Sequence, residues 1–323
     1  MLVNARTVMI IIVLVIIVGA IYGITLYQRA AKTAEYLVDL DSGDTAAVLK
    51  AMDGLSSRGR SVVPRLSETL DNLNPQVRSR AVMLIGVCGD AADSALLPPL
   101  LKSDKDKFVR RDAAIALGKL GGDGVVAALT ESLRNQSEDV LVRAAAAASL
   151  GILGEAGSVA ALVEALVARP PAAKPPGDEG GEAAAETEAP EDSSLFLRVA
   201  AARALGRLGT DDGIRALGDA VHENTEPSER VRATASYALG DVALNNENED
   251  QMAVILDNLL AAFDDSAGDV RIAAIQSLGK ASLIPEGAKH RVDSVLTRAE
   301  GDEHYWVREA AEEARTSLGP LGI

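Results

Sequence analysis

The chain has 323 residues, with 47 Asp and Glu against 32 Lys and Arg, a net charge of −15 and an isoelectric point near 4.7. Aromatic residues are 3% of it and there is one cysteine, Cys88. This balance argues against the basic, aromatic-studded footprint of a nucleic-acid binder, and a lone cysteine excludes an intramolecular disulfide.

The first element is an apolar run, Val8 to Ile24, which continues to Tyr27 with Thr25 as its polar interruption, followed by Gln28 and Arg29. At about 1.5 Å per residue such a run crosses a bilayer as one helix, with Tyr22 and Tyr27 suited to its interfaces. A cleaved signal peptide with a small-residue site at Val18-Gly19-Ala20 is the alternative, but the apolar run continues past that site. Residues 1–28 are therefore read as a membrane anchor, in contact with lipid through residues 8–27, and 29–43 as a juxtamembrane linker. The positive-inside count is nearly tied, Arg6 on one side and Arg29 and Lys32 on the other. A hydrophobic segment ahead of a large domain is commonly an export signal, which favours an extracytoplasmic domain on a single-pass membrane protein.

From residue 44 onward the chain repeats itself. Seven times a Val or Leu is followed at once by Arg and, four residues after the hydrophobe, by Ala: Val77-Arg78, Val109-Arg110, Val142-Arg143, Leu197-Arg198, Val231-Arg232, Val270-Arg271 and Val307-Arg308. The spacings are 32 to 39 residues, with one of 55. Hydrophobe, alanine and a further Leu or Ile at i, i+4 and i+8 share one helix face, and the small central residue permits close helix approach. The glycines that follow, Gly86, Gly118, Gly151, Gly206, Gly240 and Gly279, are expected to end these helices, some serving tight packing instead. A weaker helical pattern precedes each block, with leucines a turn apart at Leu66 and Leu70, Leu129 and Leu133, and Leu162 and Leu166. Each unit is thus a pair of antiparallel helices, and pairs that cannot bury both faces alone must stack.

The long spacing holds a Pro, Gly and Glu tract at 170–193, too polar to bury a core and predicted to be a disordered acidic loop within one repeat. The seventh block, Val307 to Arg315, carries charges where the others have Ala or Leu, as a terminal cap does. The predicted fold is all-α: a right-handed α-solenoid of about six to seven stacked helix pairs over 44–323, preceded by a single transmembrane helix.

The Val-Arg-x-x-Ala-x-x-x-Leu-Gly block resembles the HEAT-like repeats of the phycobilin lyase type. The resemblance implies the solenoid fold, while proteins with such repeats include bilin lyases, an iron-dependent hydroxylase, DNA glycosylases and many scaffolds. The hydroxylases use several symmetric His-Glu pairs, whereas this chain has His222-Glu223, the reversed Glu303-His304, and His290 apart from both. No metal, cofactor or catalytic residue is expected, and no Gly-rich phosphate loop or nucleophile elbow occurs.

Two recurrent features remain. Arg78, Arg110, Arg143, Arg198, Arg232, Arg271 and Arg308 form a ladder for which a structural role is expected, with acids just upstream (Asp106, Asp139, Glu229, Asp269) as partners; a row of anion-binding cations is the alternative. Phe108, Phe196 and Trp306 all stand immediately before the repeat hydrophobe, where they are expected to staple the entering chain, with a set of partner contacts as the other reading. Together these features predict a membrane-tethered, non-catalytic scaffold that binds a protein with a basic or mixed-charge surface, with no nucleic acid and no small-molecule substrate. A lyase-type enzyme and a purely structural spacer are the alternatives.

Overall fold

The computed structural model describes residues 5–168 and 194–320, and the acidic loop predicted at 170–193 lies outside them. The described residues are helical with no strand, and chain contacts divide the molecule into two units, Met1–Leu96 and Leu97–Ile323.

The first unit opens with α1 (Ala5–Asp39), so the stretch read as a linker prolongs the apolar helix to Asp39. Within Met9–Asp39 the most apolar 18-residue window has a mean hydropathy of 2.9 and is buried by nothing among the described residues, which makes the helix long and apolar enough to cross a membrane. Its end packs on α2 (Thr45–Ser56), which Asp44 caps by accepting from the Ala46 N–H. Gly54 of α2 supplies the gap into which the Tyr36 ring fits. The short α3 (Val63–Ser67) pairs with α4 (Pro75–Cys88), started by Asn74 as cap and a proline at its first position. Cys88 is buried there, and burial pushes its thiol above the usual value.

Among the described residues the second unit contains six helix pairs: α5 (Pro98–Ser103) with α6 (Lys107–Leu120), α7 (Val125–Arg134) with α8 (Val140–Leu153), α9 (Val159–Leu166) with α10 (Leu195–Leu208), α11 (Asp211–Ala220) with α12 (Glu229–Ala243), α13 (Glu249–Ala262) with α14 (Gly268–Leu278), and α15 (Lys289–Glu300) with α16 (Tyr305–Leu318). The first helices pack in one row, α5 on α7 and so on to α15, and the second helices in another, α6 on α8 and on to α16. Between the rows lies the core. Every repeat hydrophobe, alanine and following Leu in this unit is fully buried, as are Leu129, Leu133, Leu162 and Leu166. Each buried Val or Leu contributes about 1.5–3 kcal/mol, so the repetition of one buried triplet is what holds the stack.

Four of the repeat glycines in this unit do something other than end helices. Gly118, Gly151, Gly206 and Gly240 lie within α6, α8, α10 and α12, Gly279 closes α14 in ordinary right-handed geometry, and none has a positive φ. A Cβ on Gly118 would stand 2.5 Å from Ser149, on Gly151 2.6 Å from the Ala204 Cα, on Gly206 2.7 Å from Ala238, and on Gly240 2.5 Å from Ser277. Each therefore marks the closest crossing between one second helix and the next, always against a Ser or Ala. The positive-φ turns fall three residues later, at Gly121, Gly154 and Gly209, whose φ values are 64°, 73° and 59°, the last two in the left-handed helical conformation.

Candidate functional site: the second-helix face and its arginine ladder

The arginine ladder lies along the starts of the second helices, one turn past each cap. Its guanidinium groups reach back mainly to carbonyls five or six residues upstream. Arg78 donates to Asn72 O at 2.7 Å, Arg110 to Asp104 O at 2.7 Å, Arg232 to Glu226 O and Pro227 O at 3.0 and 2.9 Å, Arg271 to Asp265 O and Ser266 O at 3.1 Å each, and Arg308 to Asp302 O at 2.7 Å. Arg143 reaches further, to Leu133 O at 2.9 Å.

Four of the ladder arginines also reach forward to a carboxylate of the following repeat. Arg110 meets Glu138 at 2.8 Å, Arg198 meets Glu226, Arg232 meets Asp265 at 2.6 Å, and Arg271 meets Asp302 at 2.9 Å. Both members of the Arg198–Glu226 and Arg232–Asp265 pairs keep 3% or less of their side-chain surface exposed. Two of the acids expected as partners serve elsewhere, since Asp106 and Asp139 accept from the first N–H groups of α6 and α8 as helix caps. The reason is geometric. The cap carboxylates are taken up by backbone N–H groups, and the arginine side chain, leaning toward the helix N-terminus, reaches past them to the loop before the helix and the neighbouring loop.

The loop carboxylates hold their own turns as well. Glu226, Asp265 and Asp302 accept from the backbone N–H two residues on, at Ser228, Ala267 and His304, 2.8 Å each. For Asp302, burial by itself raises the carboxyl, but the Arg271 hydrogen bonds, the His304 N–H and the nearby positive charge outweigh it and hold the group below the ordinary carboxylate value. Hydrogen bonds to Glu138, Asp265 and Asp302 raise the Arg110, Arg232 and Arg271 guanidinium groups, whereas burial lowers Arg143. The loop acids carry a signal in the sequence: Asp104, Glu226, Asp265 and Asp302 each stand six residues before a repeat arginine. With their backbone and carboxylate partners in place, these arginines are occupied inside the fold.

The aromatics before the repeat hydrophobe are not staples. Phe108, Phe196 and Trp306 are 46%, 52% and 62% exposed, so they cover no core. The position precedes a buried one by a single residue, about 100° around the helix, which turns it outward. Cations stack on them instead: Arg111 lies 5.2 Å from the Phe108 ring and Arg230, from the next repeat, 5.7 Å from the Phe196 ring. Trp306 packs edge-on against Tyr305 with ring centres 5.0 Å apart. Ile115, Ile152 and Tyr237 are exposed on the same outward face of α6, α8 and α12. The second helices of this unit thus present a row of uncovered bulky side chains along successive repeats.

His222 faces Asn258 at 3.3 Å, Glu223 accepts from Ser266, and His290 and His304 sit in later repeats. Among the described residues no three His, Cys, Asp or Glu side chains converge in a way that could hold a metal ion. An open cleft lined by Asp211, Ile214, Asp250 and Val254 lies between the first helices α11 and α13.

Two spans of the sequence, residues 63–141 and 187–279, match the HEAT repeats family model, together more than half of the chain. The chain is a HEAT-repeat protein. Residues 142–167 match the PBS lyase HEAT-like repeat, so the matched spans run through the buried triplets described above. No curated protein matches it. Among solved structures, it is similar to human deoxyhypusine hydroxylase in complex with glycerol (19% identity, 93% of this chain and 99% of that one, TM-score 0.37). It is also similar to the CpcE and CpcF complex of phycocyanin lyase from Nostoc sp. PCC7120 (22%, 79% and 94%, 0.46). A designed armadillo repeat protein in complex with the peptide (KR)4 is a third (16%, 88% and 98%, 0.39). Such identities bear on fold alone.

Proposed function

We propose that this HEAT-repeat protein is a non-catalytic scaffold, tethered to a membrane by α1, that binds another protein across several repeats of its second unit. The observation that carries this reading is the outward row of Phe108, Ile115, Ile152, Phe196 and Tyr237, bulky side chains that the fold leaves uncovered on consecutive second helices. Stacked repeats make a long shallow surface of this kind, suited to an extended partner more than to a small substrate. The apolar, uncovered α1 supports the tether, and the position of that helix ahead of a large domain supports an extracytoplasmic repeat array.

The whole-chain charge of −15 by itself supports a basic or mixed-charge partner. That charge is unevenly spread over the second unit, and the outward faces of α6, α8 and α10 carry the opposite sign. The reading is tested by purifying the full chain from solubilised membranes after chemical cross-linking and mapping the cross-linked peptides. Protein cross-links on α6 to α12 are expected. Recovery of a turned-over small molecule with no protein contact would support the enzyme alternative.

A further inference from the structure

The outward face of α6, α8, α10 and α12 is built from three positions of each repeat: the one before the repeat hydrophobe, and those six and ten residues after it. These positions are seven and four residues apart and share one helix face. Across the four helices the first row reads Phe108, Leu141, Phe196, Arg230; the second reads Ile115, Ala148, Arg203, Tyr237; the third reads Lys119, Ile152, Arg207, Asp241. The column on α8 is wholly apolar, and the columns on either side carry cations.

The state of those cations sets the face apart. In the second unit most exposed basic side chains are already paired: Lys102 with Glu131, Lys107 with Asp139, Arg134 with Glu164, Arg215 with Asp212, Arg291 with Asp257, Arg298 with Asp264. Lys119, Arg203, Arg207 and Arg230 are exposed and have no ion pair among the described residues, a state that Lys105 in the loop before α6 shares. All four lie on this one face, and Arg230 is already laid over the Phe196 ring. The bodies of α6, α8 and α10 contain one acid between them, Asp112, which is buried and bonded to Arg111. In a chain carrying 47 acids, a face of three consecutive helices without an exposed acid is a local reversal of sign.

We propose that this face docks an acidic, extended peptide segment of a partner protein, its apolar side chains seated over Leu141, Ala148 and Ile152 and its carboxylates met by Lys119, Arg203, Arg207 and Arg230. The inference rests on the protein-binding reading above and specifies its surface and the sign of its partner. The dimensions fit. Packed helices lie about 8–10 Å apart, so the face from α6 to α12 is about 25–30 Å across. An extended chain rising about 3.3 Å per residue spans it with eight or nine residues. Guanidinium groups suit carboxylates by bidentate geometry, and the interleaved Phe and Ile side chains supply the apolar contact that cations alone lack. A nucleic acid is disfavoured because its continuous charge must also approach the surrounding acidic surface, whereas a short acidic segment meets only the local patch.

The test is selection from a display library of nine-residue peptides, randomised over Asp, Glu, Lys, Arg, Leu, Phe and Ser, against the full chain in phosphatidylcholine nanodiscs. Enrichment of peptides with two or more acids alternating with Leu or Phe is expected. An enriched peptide should lose about tenfold or more in affinity on Arg203→Glu with Arg207→Glu, and stay within about twofold on Arg215→Glu with Arg291→Glu, whose exposed, already paired cations lie on α11 and α15. Helical content by circular dichroism verifies that both double variants fold, and Arg203→Lys with Arg207→Lys should bind more tightly than the Glu pair and less tightly than the parent, because Lys keeps the charge and loses the bidentate geometry. Enrichment of basic or uncharged peptides overturns the proposal, as does affinity insensitive to the Arg203 and Arg207 changes. Tighter binding of a single-stranded oligonucleotide or of phosphatidylglycerol vesicles at the same residues overturns it equally. If the selected peptides carry the wrong sign but still map to this face, the scaffold reading stands and only the acidic partner falls; if nothing binds and no protein cross-links there, both fall.

Discussion

Replacing Gly151 by Ala tests the reason for the repeat glycine. In an isolated helix the change is favourable by up to about 1 kcal/mol, because Ala loses less backbone freedom than Gly. Here the new Cβ would stand 2.6 Å from the Ala204 Cα and 2.7 Å from its Cβ. Carbon atoms pack best at about 3.5–4.0 Å, so α8 and α10 must part by about 1 Å at their closest crossing. Neither obstacle can rotate away, one being main chain and the other a methyl group. Overpacking costs about 1–3 kcal/mol, and this site belongs at the upper end, leaving a net destabilisation of about 2 kcal/mol after the helix gain. Urea unfolding of the full chain in detergent, followed by far-ultraviolet circular dichroism, measures it. Gly157→Ala is the control, since nothing lies within 4 Å of its added Cβ, and should be neutral or slightly stabilising. If Gly151→Ala were as benign as Gly157→Ala, the close-crossing account of this glycine would be refuted and helix propensity would dominate.

Arg232→Met should cost about 3–5 kcal/mol, because it strands the buried Asp265 carboxylate, while Arg215→Met, on an exposed pair, should cost under about 1 kcal/mol by the same urea assay. Because Asp302 titrates below the ordinary carboxylate value when folded, its share of stability is fully present above the unfolded value near about 3.9 and is lost as the pH falls through the lower folded value. Asp302→Asn should therefore be less stable than the parent at pH 6 and flatten that acid-side loss, and an unchanged acid limb would contradict the assignment. The full chain should stay in the membrane pellet after alkaline washing, release into the supernatant being the contrary result. A cysteine in place of Leu73, which is 98% exposed, should react with a membrane-impermeant maleimide in intact cells, since Cys88 is buried and contributes little background; reaction only after lysis would place the repeats on the cytoplasmic side.

What the sequence revealed depended on whether a residue's job is set within its own repeat. The buried triplets, such as Val231, Ala235 and Leu239, follow from helical period and small-residue packing, and from them the helix pairs and the family follow. A Leu-Gly pair suits a helix end or a tight contact equally, and which of the two holds for Gly151 is a relation between repeats, since its neighbour Ala204 lies on the next second helix. Arg232 was legible as a structural arginine, but its partner Asp265 lies 33 residues away, in the next loop. Phe108 and Phe196 were noticed for their shared position, yet whether that position faces core or solvent depends on what the neighbouring helix covers. The cationic face was hidden by the bulk charge, since counting acids over the whole chain averages away Arg203, Arg207 and Arg230.

The central claim is that the second-helix face is where a protein partner sits. A photo-cross-linking amino acid placed singly at Ile115, Ile152 or Val254 in the full chain, expressed in cells, probes it directly, because all three are exposed and only the first two are on that face. The account predicts that Ile115 and Ile152, two repeats of one surface, capture the same protein and that Val254 on α13 does not. Capture from Val254 alone, or no protein adduct from Ile115 and Ile152, would contradict it.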